Sequence, residues 1–168
     1  KCAITLSGEP GSGKTYLCFD IMSKFVKANL KVCYFSLEEG ITHLTQTKLE
    51  RYNLVNEVNL EINESASIED VKRFSNKFDV IVIDSWGKLN ADIGEFDKLR
   101  INYPQTIFIA IFQQTSSGQM RGGTRASFDA STNIETSKSG EKRVAVCTKN
   151  RYGFTGVRYL IDDCVLEK

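Results

Sequence analysis

Short apolar runs alternate with amphipathic stretches through the first two thirds of the chain. Residues 2–8, "CAITLSG", are apolar up to Gly8 and predict a strand. Residues 14–30 place Leu17, Cys18, Ile21, Met22, Phe25 and Val26 on one helical stripe. The β-branched and aromatic run "KVCYFSL" (31–37) predicts a second strand, and 41–52 a helix whose apolar side is Ile41, Leu44, Leu49 and Tyr52. "VNLEIN" (58–63) alternates like a strand. A helix over 67–78 carries the stripe Ile68, Val71, Phe74 and Phe78. It opens on Ser67 with Asp70 three residues on, a variant capping box. "DVIVID" (79–84) and "TIFIAIF" (106–112) are continuous apolar runs of the kind buried on both faces of a parallel sheet, with a short helix expected within 92–102 between them.

The pattern then changes. Residues 113–124 are polar and Gly-rich and predict a loop. Residues 131–137, 142–149 and 156–162 read as three strands joined by turns at "KSGE" and "NRYGFT", an antiparallel meander. Strands alternating with helices, followed by a meander, predict one α/β domain over residues 1–168 with a mainly parallel central sheet. The sequence starts directly on a strand-like run. A fragment lacking N-terminal elements is therefore expected.

Composition narrows the picture in two places. Twenty-two Lys and Arg against 21 Asp and Glu give a net charge of +1, so any nucleic-acid contact has to be local. Five scattered Cys without a C-x-x-C pair, and His43 as the sole His, argue against a zinc site or a His-based triad. The Cys are expected as small core residues in a reducing compartment, and His43 at a helix surface. No apolar run approaches the roughly 18 residues of a membrane span. A cytoplasmic location without membrane contact is the expectation.

The chemistry begins at "GEPGSGKT" (8–15), which matches G-x-x-x-x-G-K-[ST] in full, between a strand and an amphipathic helix. Gly8, Glu9, Pro10, Gly11, Ser12 and Gly13 form a loop whose backbone N–H groups can point inward at phosphate, with the helix N-terminus behind them. Lys14 can reach the β- and γ-phosphates of a nucleotide, and Thr15 can hold Mg2+. Asp84, closing "DVIVID", is the expected acid for the same Mg2+.

Four further stretches carry a resemblance. "YFSLEEG" (34–40), "IFQQTSSG" (111–118), "GGTRASFDASTNIET" (122–136) and "KNRYG" (149–153) resemble, in order, segments of RecA-type ATPases of the RadA/Sms, DnaB-type hexameric helicase and KaiC group. The resemblance implies a RecA-like P-loop NTPase fold that binds ATP and Mg2+ between subunits of a homo-oligomer, ring or filament. It implies Glu38 as the residue activating the attacking water, with Glu39 as a neighbour able to share the role. It implies Gln113 as the sensor of the γ-phosphate, with Gln114 as the fallback. Lys149 and Arg151 would act as a finger reaching the ATP of the next subunit. The bland alternatives are solvated acids at a helix start and solvated cations on a turn.

The resemblance also implies contacts to single-stranded DNA from Gln119, Arg121 and Arg125. Two arginines are a thin basic patch, and a plain surface loop is the alternative. Trp86 could stack on a base or fill the core; the core is the expectation. Function stays open between the ATP-driven motor core of a DNA-processing enzyme (helicase, recombination or branch migration) and a KaiC-like regulatory ATPase acting on proteins. Neither a RadA-type zinc module nor a helicase N-terminal domain is found in the sequence.

Overall fold

The computed structural model describes residues 2–114 and 125–167. One nine-stranded sheet has the order β3-β2-β4-β5-β1-β6-β7-β8-β9. The strands are β1 (Cys2–Gly8), β2 (Val32–Ser36), β3 (Leu60–Asn63), β4 (Val80–Asp84), β5 (Ile107–Gln113), β6 (Thr132–Ser139), β7 (Lys142–Asn150), β8 (Arg158–Leu160) and β9 (Val165–Leu166). From β3 to β6 every neighbouring pair is parallel; β6 to β9 are antiparallel. The mainly parallel α/β architecture read from the sequence is thus present. Two details differ: β6 opens the meander but also pairs in parallel with β1, and β9 adds a short final strand.

The helices are α1 (Lys14–Lys27), α2 (His43–Arg51), α3 (Ile68–Ser75), α4 (Gly94–Asn102) and α5 (Arg125–Asp129). The continuous apolar runs exist because both sheet faces are covered. Val32, Tyr34, Val80, Val82, Ile109 and Ile111 pack with Leu17, Cys18 and Met22 of α1. Their strand neighbours Cys33, Phe35, Ile81, Ile83, Phe108 and Phe112 form the second core with Val71, Phe96 and Leu99 of α3 and α4.

Several local expectations are corrected. Ile41 and Leu44 do not form the buried side of α2: they are 60% and 62% exposed, and Thr45, Lys48 and Leu49 face inward. Ser67 caps α3 by accepting from the Glu69 N–H, but Asp70 bonds Ser65 and Arg73 rather than closing a capping box. Cys18 and Cys33 are buried, whereas Cys164 is exposed. Trp86 is buried between Phe96 and Phe112, with ring centroids at 5.4 and 6.2 Å, so its face is closed to a base. Among the described residues, no helix is long and apolar enough to cross a membrane.

Candidate functional site

The topology brings the ends of β1, β2, β4 and β5 to one edge of the sheet. There a cleft is lined by Lys14, Thr15, Glu38, Glu39, Asp84 and Gln113, drawn from four separate segments. Ligand sites lie at this carboxyl edge in open α/β sheets.

The loop after β1 is shaped by its glycines. Gly11 and Gly13 have φ of 75° and 97°, which a side chain would strain. Gly8 is required by contact instead: a Cβ there would lie 2.3 Å from Thr136 Oγ1 and 2.4 Å from the Thr136 carbonyl oxygen. Ser12 and Thr136 share a hydrogen bond of 2.6 Å, which ties the loop to β6. Lys14 donates to the carbonyls of Gly8 and Glu9, both at 2.8 Å, so its ammonium is held across the loop. Burial lowers the Lys14 pKa, while Glu38 and Asp84 oppose that effect.

Asp84 ends β4 almost fully buried. Its Oδ2 accepts from Thr15 Oγ1 at 2.9 Å and from Tyr34 OH at 3.0 Å. Its Oδ1 is buried and has no hydrogen-bond partner. Burial pushes the carboxyl up to about 6, with Glu38 and Glu39 adding to the rise and the two hydroxyl donors opposing it. Among the described residues, no group of three or more His, Cys, Asp or Glu forms a cation cage. Mg2+ is commonly held by one or two carboxylates, waters and substrate phosphates. An orphaned carboxylate oxygen beside a Thr hydroxyl and a phosphate-type loop fits this chemistry.

Glu38 and Glu39 lie on the loop after β2. Leu37 and Glu38 N–H groups donate to the Asp84 carbonyl at 2.7 and 3.0 Å. The Gly40 carbonyl accepts from Ser36 and Thr45 hydroxyls, and Glu64 accepts from the Ile41 N–H. The two acids then diverge. Glu38 accepts from Gln113 Nε2 at 2.7 Å, linking the ends of β2 and β5. Glu39 is ion-paired to Lys48 of α2. Gln114 N–H donates to the Gly8 carbonyl, placing that residue against the loop backbone.

Lys149 and Arg151 lie elsewhere. Lys149 Nζ donates to the Ser127 and Phe128 carbonyls at 2.8 Å each, and Arg151 to the Phe128 carbonyl at 3.4 Å. Strand register sets their distance from the loop. Gly8 is level with Thr136 on β6, whereas Thr132 and Asn133 are level with Asn150 and Lys149. Three to four residues of strand separate the two levels, roughly 10–13 Å along the sheet. Neither cation lines the cleft of its own chain. Gly156 has φ of 79° in the turn after them, but Gly153 does not take a positive φ. Arg125 is exposed on α5 and lies 3.9 Å from Asp129. Gln119 and Arg121 fall outside the described residues.

Three cleft residues went unread in the sequence: Tyr16, Lys48 and Arg143. The Arg143 guanidinium lies 4.1 Å from the Tyr16 ring centroid and is held by two hydrogen bonds from its Nε to Asp162. No local signal could have found Arg143, because β7 and the segment after β8 bring it to α1. Lys48 was legible in principle, since Thr45, Lys48, Leu49 and Tyr52 are also spaced as one helical face.

No family model matches the chain. The DNA repair protein RadA of Chlamydia trachomatis serovar D is 36% identical over 83 residues, which are 48% of this chain and 18% of that protein. RadA of Chlamydia muridarum is 34% identical over a stretch of the same length and coverage. The chain therefore matches less than a fifth of either relative. Among solved structures, the flagellar accessory protein FlaH from Methanocaldococcus jannaschii superposes with a TM-score of 0.74 at 19% identity, covering 99% of this chain and 89% of that one. The ATPase domain of G40P gives 0.67 at 14% identity, covering 95% and 80%. The likeness shows a RecA-like α/β fold.

Proposed function

We propose, for a chain with the RecA-type P-loop ATPase fold, that it is a Mg·ATP-hydrolysing motor core that works as a homo-oligomer in DNA processing. The observation that carries this reading is the meeting of Lys14, Thr15, Asp84 and the Glu38–Gln113 pair in one cleft.

The loop N–H groups and Lys14 bind the β- and γ-phosphates. Thr15 Oγ1 and Asp84 are the groups that would hold Mg2+, which when bound neutralises charge on those phosphates. Glu38 orients a water in line with the γ-phosphorus and takes its proton as the new O–P bond forms and the bond to the ADP oxygen breaks. Gln113, bonded to Glu38, senses the γ-phosphate and couples its loss to the segment after β5. Lys149 and Arg151 serve the cleft of the neighbouring copy, where they stabilise charge spreading over the transferred phosphoryl group. Their position at least three residues down the sheet from their own loop supports action in trans.

The DNA-processing part rests on the sequence likeness to RadA and on Gln119, Arg121 and Arg125 as strand contacts. A regulatory ATPase acting on proteins is favoured by the near-neutral charge and by Arg125 lying beside Asp129. ATP turnover with and without single-stranded DNA at low salt separates the two. Stimulation is expected; turnover unaffected by DNA would leave the regulatory reading.

A further inference from the structure

We propose that Lys48 is a phosphate-binding residue of this cleft, a cation from the same chain that contacts the terminal phosphate of a bound nucleoside triphosphate while Glu39 holds it in position. The inference rests on the nucleotide reading of the cleft and adds a residue to it.

Lys48 lies on the inward face of α2, and its side chain is only 6% exposed. Lysine is almost never buried unless paired, and its partner here is Glu39. A purely structural ion pair has no reason to face a ligand cleft, yet both partners line it beside Lys14, Glu38 and Asp84. The helix makes this choice at the expense of its apolar residues, turning Lys48 inward while Leu44 stays outside.

The charges of the cleft single out Lys48. Glu38, Glu39 and Asp84 line the cleft together with Lys14, Lys48 and Arg143. Arg143 is committed to Asp162 and to the face of Tyr16. Lys14 spans the loop mouth. The Lys48 ammonium has three N–H donors, and its hydrogen bond to Glu39 uses one. It can keep Glu39 and still donate to phosphate oxygens, and its long stem suits a point-charge contact of this kind. Its place is fixed from both sides. The ammonium lies 5.5 Å from the ring centroid of Tyr16, the residue after Thr15. Thr45, one turn earlier on α2, bonds the Gly40 carbonyl next to Glu39.

This arrangement also separates the two acids. Glu39 is engaged by a cation and anchors Lys48; Glu38, bonded to the neutral Gln113, is the acid left to handle a proton. The cleft therefore senses the terminal phosphate within one chain, before any neighbour contributes.

The test measures affinity for a fluorescent, non-hydrolysable ATP analogue and for the matching ADP, both with Mg2+. The proteins are wild type, Lys48→Gln, and Lys48→Gln with Glu39→Gln, which removes the pair without stranding a charge. Wild type is expected to prefer the triphosphate. Both variants should lose about tenfold in triphosphate affinity and less than twofold for the diphosphate. Equal losses for both nucleotides, or none, would assign Lys48 to structure and overturn the proposal while leaving the ATPase reading intact. A wild-type protein that binds neither nucleotide would overturn both.

Discussion

At Asp84 one carboxylate oxygen accepts two hydrogen bonds and the other accepts none, in a nearly closed setting. Burial raises its pKa to about 6, so the folded chain holds this proton more tightly than the unfolded chain does. Its contribution to stability is therefore favourable in acid and is lost as pH rises from about 4 to about 6. In the absence of nucleotide and Mg2+, Asp84→Asn should be more stable than wild type at pH 7.5 by on the order of 2–3 kcal/mol, with the gap closing near pH 4. Urea unfolding at several pH values checks this, and the same variant should lose Mg2+-dependent ATP binding. Glu38→Gln should bind Mg·ATP normally but turn over at least 100-fold more slowly. Single-turnover kinetics would detect the change, and near-normal turnover would move the base to Glu39 or elsewhere. Lys14, Thr15 and Asp84 were legible because each lies at the start or end of an element with a strong pattern of its own, whereas Glu38, on the loop after β2, was legible only through the family resemblance. Tyr16, Lys48 and Arg143 were not, because their place in the cleft depends on which elements pack together.

The element that departs most from its sequence pattern is α2. Its apolar residues suggested one stripe, but the helix starts only at His43, and the loop before it is pinned by Ser36, Thr45 and Glu64. Those bonds set the helix's rotation, and Ile41 and Leu44 are left outside. By contrast, β4 and β5 were read closely from sequence, since strands covered on both faces require continuous apolar runs. The loop after β1 is constrained more tightly than its flexible composition suggests. Gly8→Ala would drive a methyl into Thr136 and Ser12, and should cost about 2–3 kcal/mol and abolish nucleotide binding. Gly87→Ala, where a Cβ would meet no described residue within 4 Å beyond its chain neighbours, should change stability by less than about 0.5 kcal/mol. Denaturation midpoints of the two variants give the comparison.

Across the whole molecule, the parallel half followed from alternating strands and helices. The parallel pairing of β6 with β1 did not, because "STNIETS" carries no mark of its partner's direction. Yet this pairing sets the level of Lys149 and Arg151 on the sheet, away from their own loop. Around them Phe128 and Phe154 are 74% and 87% exposed, large apolar side chains beside two cations. Such a surface suits contact with a second copy whose cleft carries Glu38, Glu39 and Asp84. The claim that one active site is built from two chains is tested most directly by complementation. Lys14→Ala lacks a working loop but keeps its finger; Arg151→Ala keeps its loop but lacks the finger. Each alone should hydrolyse ATP at no more than a few per cent of the wild-type rate, and Arg151→Ala should still bind ATP. Mixed at equal, high concentration they should regain a substantial fraction of wild-type turnover, because some interfaces then pair an intact loop with an intact finger. A mixture no more active than the sum of its parts, or full activity from Arg151→Ala alone, would contradict the shared site.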